Sequence, residues 1–171
     1  MRALLVLLPV VLLPLALAAA TPARADSACD GLTARLIRAT GASLAGRAGP
    51  IAVFRAADAE RMSLDCRKPA RLVFGDLERE PRRPYFVLIG LAAEALAGAR
   101  PGDVEVLALR LHQDSLLSGE PREGAAGPAL LRCETGPRSD GLAGDLTVCV
   151  LAARASPRRR PVALSREGEA G

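Results

Sequence analysis

The chain has 171 residues, half of them apolar and a quarter charged, with 22 Arg against a single Lys, one His, one Tyr, three Phe and no Trp. That mixture belongs to an ordinary globular domain and excludes a disordered chain, while four aromatics leave little material for stacking bases or sugars. The formal charge of +4 falls to +2 when a leader holding Arg2, Arg24 and no acid is removed, which is too near neutral for a nucleic-acid footprint.

That leader is the strongest signal in the chain. Met1-Arg2 gives a short basic start, Ala3 to Ala20 carries no charge, and Ala23 and Ala25 put small residues where a signal peptidase needs them. Residues 1–25 are therefore predicted to be a cleaved secretory signal peptide. Pro9 and Pro14 oppose a retained membrane span, and Asp26, three residues before Cys29, opposes a lipid-modified cysteine. The expected location is periplasmic or secreted, with no stable membrane span after cleavage. Abundant Ala and Gly, the Arg excess and the absence of Asn read as the coding bias of a GC-rich bacterial genome.

Residues 26–153 form the expected single domain. A helix is predicted from about Asp30 to Thr40, with Ser27 or Asp30 as its cap and Gly41 at its end. Three short strands follow at about 51–55, 61–66 and 71–74, separated by the turns Ala57-Asp58-Ala59-Glu60 and Arg67-Lys68-Pro69. The charged run Glu78 to Arg83 reads as a solvated connector, and Tyr85 to Ala97 as an almost wholly apolar core helix stopped by Gly98. Pro101-Gly102-Asp103 opens a segment to about Leu117 that alternates like a strand at Val104-Glu105-Val106 yet is richer in helix formers, and a helix is expected. Gly119 to Pro128 is expected to be a loop, and 129–135 with 145–151 a closing hairpin around Gly141. Residues 154–171 are expected to be a disordered Arg/Pro-rich tail.

This order predicts an α+β fold: a small antiparallel sheet, made of a three-strand meander plus the closing hairpin, with about three helices packed on one side. It resembles secretion-chaperone-like folds in element order alone, and that likeness transfers no function.

Cys29, Cys66, Cys133 and Cys149 are an even number in an exported chain, which makes disulfides the expectation. Alternation over Arg61 to Cys66 turns Met62, Leu64 and Cys66 to one face, against which the stripe Leu32, Leu36, Ala39 and Ser43 of the helical stretch after Cys29 can pack, so Cys29 is paired with Cys66. Setting Cys133 opposite Cys149 places Leu131 across from Leu151 and Thr135 across from Thr147, a register consistent along its length. No C-x-x-C or H-x-x-x-H spacing accompanies them, and no metal or cofactor site is expected.

Chemistry is sparse. Gly41-Ala42-Ser43-Leu44-Ala45-Gly46 has one residue too many for a nucleophile elbow and follows a helix, not a strand. His112 is the only imidazole; Asp114 does not share its helix face and Glu105 is two turns away, so it reads as a partly exposed helical histidine. Asp140 and Asp145 flank a turn without the spacing of a calcium loop. Arg154, Arg158, Arg159, Arg160 and Arg166 give the tail weak attraction for an anionic surface. No catalytic residue is assigned. The expected function is a non-catalytic protein-binding or adaptor module with an unknown protein partner, the alternative a small hydrolase using carboxylates or His112. The mature chain is expected to start at Asp26; intact-mass measurement of the exported form checks this, and a mass that retains residues 1–25 refutes it.

Overall fold

The computed structural model describes residues 23–138 and 144–154. The leader up to position 22, the Asp140-Gly141 turn and the tail from position 155 lie outside the described residues. The described chain runs α1 (Ala23–Thr40), β1 (Ser43–Ala48), β2 (Ile51–Ala56), β3 (Ala59–Asp65), β4 (Arg71–Asp76), α2 (Arg83–Ala97), α3 (Pro101–Ser118), β5 (Arg122–Ala126), β6 (Ala129–Pro137) and β7 (Asp145–Ala153). The class is α+β, with three helices against one antiparallel sheet.

The sheet is larger than the small meander plus hairpin expected from the sequence: it has seven strands in the order β1-β2-β3-β4-β7-β6-β5. Both additions are edge strands. All six residues of β1 are exposed, so no alternation marked it, and it forms by folding back on β2 with Arg47 opposite Ala52. β5 lies inside the expected Gly119–Pro128 loop and pairs with β6 from Arg122↔Cys133 to Ala126↔Ala129. Gly124 makes its approach possible, because a Cβ there would come within 2.9 Å of Leu107 on α3. The first helix also begins earlier than expected, at Ala23; Asp30 sits within it and is ion-paired with Arg47 of β1.

Alternation places one row of every inner strand in the core. Phe54, Met62, Phe74, Cys149 and Cys133 follow one another across β2, β3, β4, β7 and β6, and Ala52, Leu64, Leu72, Leu151 and Leu131 form the next row. All ten are buried. Over them lie Leu32 and Leu36 of α1, Tyr85, Phe86, Ile89 and Ala93 of α2, and Val104, Leu107, Ala108 and Leu111 of α3.

Disulfides join Cys29 to Cys66, tying α1 to the end of β3, and Cys133 to Cys149, across directly paired residues of β6 and β7. For closed loops of these lengths each contributes about 3–4 kcal/mol in the chain-entropy account. Two disulfides suit an oxidising compartment.

The helices α2 and α3 approach closely at Gly90, where a Cβ would stand 2.5 Å from the Pro101 carbonyl oxygen. Backbone cannot yield there as a side chain would. Gly90→Ala is expected to lower stability by about 1–3 kcal/mol despite the better helix propensity of Ala. Urea denaturation measures it, and an unchanged or raised midpoint contradicts the close packing of the two helices.

Candidate functional site

The residues singled out from the sequence do not converge. Ser43 lies exposed on β1 and His112 on the buried face of α3. Glu105 is engaged by Arg83 at 2.9 Å, Asp145 by Arg79 at 3.3 Å, and Asp114 is exposed on α3. Arg154 donates its amide to the Pro128 carbonyl. Among the described residues no group of three His, Cys, Asp or Glu side chains is placed to hold a metal ion, and no helix is long and apolar enough to cross a membrane.

His112 corrects the sequence reading, which left it partly exposed: it is 4% exposed and belongs to a buried polar chain. Its ring stacks at a tilt against Phe86, and Nδ1 lies 3.1 Å from Thr135 Oγ1, which in turn lies 3.0 Å from Thr147 Oγ1. The Thr147 hydroxyl donates to the Glu78 carbonyl at 3.0 Å. Donor counting orients the chain. Thr147 has one proton and gives it to a carbonyl, so Thr135 donates to Thr147, and His112 must donate from Nδ1 to Thr135. The imidazole is thereby held as the Nδ1–H tautomer. Ser115, one turn on along α3, serves a separate need: β5 stops pairing at Cys133, and the Thr135 amide beyond that point donates to Ser115 Oγ at 3.1 Å. This chain fastens α3, β6, β7 and the segment after β4 to one another. With Nδ1 committed and the ring enclosed, it holds structure together.

A second polar assembly, which sequence reading missed, lies where β2 and β4 end and β3 begins, beside the start of α2. A cavity of about 450 Å³ there is lined by Asp58, Glu60, Asp76 and Glu78, by Arg55 and Arg82, and by Phe54 and Tyr85. No spacing in the sequence links these positions; the β2–β3 turn and the end of β4 bring them together. Asp76 is occupied locally, accepting the Glu78 amide at 2.8 Å. Burial, reinforced by the nearby Asp76 charge and opposed by the Cys149 backbone beside its hydroxyl, keeps Tyr85 a neutral phenol far above its ordinary range.

The third feature is the sheet face turned away from the helices. Val53, Ser63, Val73, Val150, Arg132 and Glu123 form one row across it, and Ile51, Asp65, Arg71, Ala152, Leu130 and Ala125 the next. Val53 and Leu130 are 43% and 40% exposed, and Val73, Val148 and Val150 half-buried. Between β4 and β5 the face is hollowed into a groove of about 620 Å³ holding Arg71, Leu130, Arg132, Val150 and Ala152. At the margin, bidentate pairing with Arg67 holds the Asp65 carboxyl down at about 2.

The buried imidazole makes stability depend on pH. Desolvation lowers its affinity for a proton, an effect the Arg79 charge supports and Glu80 opposes. The unfolded chain then binds the proton at a higher pH than the folded one, so this contribution is complete above about 6.5 and declines as pH falls through the interval beneath it. Asp65 acts lower: its contribution is complete above 3.8 and disappears as pH drops towards about 2. Chemical denaturation from pH 7.5 to 5 is expected to show falling stability, and His112→Gln a flatter profile; equal slopes contradict the assignment. Compared with protein-family models, curated protein sequences and solved structures, the chain matches none of them.

Proposed function

We propose that the protein is a non-catalytic protein-binding module of a periplasmic or extracellular space, and that the uncovered face of its sheet is the binding surface. The observation that carries this is the apolar stripe of Val53, Val73, Val148, Val150 and Leu130, which no helix covers among the described residues. Grooved apolar surface rimmed by charge is what protein interfaces use at their centre. The two disulfides and the signal-like leader support the compartment.

The carboxylate-lined cavity beside Tyr85 favours a second reading, a small hydrolase, because it gathers Asp58, Glu60, Asp76 and Glu78 around one space. Under that reading Asp76→Asn and Glu78→Gln remove a hydrolytic activity and leave partner binding intact.

For the binding module, Val150→Asp and Val73→Asp are expected to abolish capture of the partner that wild type retains from an extract of its own compartment. Circular dichroism should remain native, since neither side chain is in the core. Retention of the same partner by both folded variants refutes the open face as the binding surface.

A further inference from the structure

The charges around the apolar stripe are unevenly divided. On the β2–β4 half, Arg55, Arg61 and Arg71 point outward with Asp65, which is already held by Arg67. Arg55 and Arg61 are neighbours across the β2–β3 pair where its register shifts, and neither is in an ion pair among the described residues. Like charges side by side on adjacent strands oppose pairing. On the β6–β5 half, Glu123 and Glu134 flank Arg132, each 3.5 Å from it and each more than half exposed. One half is therefore basic and the other weakly acidic, with valines between them.

We propose that this face pairs with the same face of a second copy of the chain about a two-fold axis that runs parallel to the strands between β4 and β7. The proposal rests on the reading of this face as a protein-binding surface and names its partner. Such an axis exchanges the halves while keeping the position along each strand. It sets Val73 over Val150 of the second copy, and Arg61, which lies in line with Gly75, Val148 and Glu134 across the sheet, over the second copy's Glu134. Arg71 meets Ala152, so its stem covers apolar surface and its head reaches the rim. The contact is self-complementary in sign and apolar at its middle, as an isologous interface must be.

Size permits it. Six of the seven strands overlap about this axis; at about 4.8 Å per strand and about six residues of roughly 3.3 Å each, the shared face is about 29 by 20 Å. Two such faces bury on the order of 1,200 Å², the lower limit for a specific and stable association. A flat acidic partner would answer the β2–β4 half alone, leaving Glu123 and Glu134 against like charge.

The test is the mass of the purified, disulfide-intact protein by light scattering and sedimentation at about 100 μM, where an interface of micromolar strength is nearly saturated. Wild type is expected to be a dimer. Arg61→Glu should raise the dissociation constant at least about tenfold, and adding Glu134→Arg to that variant should restore it, since reversing both charges recreates the pair. Val150→Asp should give monomers with native circular dichroism. A wild-type monomer overturns the proposal, as does a dimer indifferent to Arg61→Glu and Val150→Asp, or a double reversal that stays dissociated while folded. If wild type is monomeric and Val150→Asp still abolishes capture of another protein, the second-copy partner is wrong and the binding face stands; if neither self-association nor capture responds to Val150→Asp, both fall.

Discussion

The ladder between β4 and β7 joins two stretches of chain that would otherwise be separate hairpin systems. Everything from α1 to β4 is sequential, each strand pairing with the one before it, and β5, β6 and β7 are sequential in the same way. Only the pairing from Arg71↔Ala152 to Asp76↔Thr147 makes one sheet of them, at the end of an excursion through α2 and α3. Neither disulfide crosses this seam: Cys29–Cys66 lies wholly before it, and Cys133–Cys149 wholly after it. The joint therefore depends on backbone hydrogen bonds and on burial of Leu72, Phe74, Cys149 and Leu151 beneath α2. Fully burying one large aliphatic or aromatic side chain is worth about 1.5–3 kcal/mol, so these few contacts and their register carry what covalent bonds do not.

Around the seam the chain accepts buried polar groups, and the way it satisfies them explains their positions. Hydroxyls on β6 and β7 stand where aliphatic residues would otherwise continue the core, and they pass hydrogen bonds from a helix imidazole to the carbonyl of Glu78. Removing one link strands its neighbours without partners at a cost of about 1–3 kcal/mol each. An aliphatic core would tolerate small shifts of α3 over the sheet. A chain of directed bonds selects one position, and that position also brings Ser115 to the buried Thr135 amide, which lies beyond the end of β5 pairing.

How much of this was legible in the sequence follows from which residues touch the core. Strands with one buried face announce themselves by alternation, and for β6 and β7 the pattern sufficed to align Leu131, Cys133 and Thr135 with Leu151, Cys149 and Thr147. β1 has no buried face and β5 depends on room left by a glycine, so neither has a pattern to read. The burial of His112 follows from helical spacing: Val104, Ala108, Leu111 and Ser115 define the buried stripe of α3, and His112 is four residues beyond Ala108 on that stripe. The cavity beside Tyr85 and the division of charge over the open face arise from residues far apart in the chain, and only strand order and register assemble them.

The disulfides also have a temporal meaning. Their partners are the first cysteine with the second and the third with the fourth. A chain that crosses a membrane with its N-terminus leading presents Cys29 and Cys66 to an oxidant while Cys133 is still behind the barrier. For a chain exported in this way, oxidation in order of arrival would produce the native connectivity at once and leave no errors for an isomerase to correct.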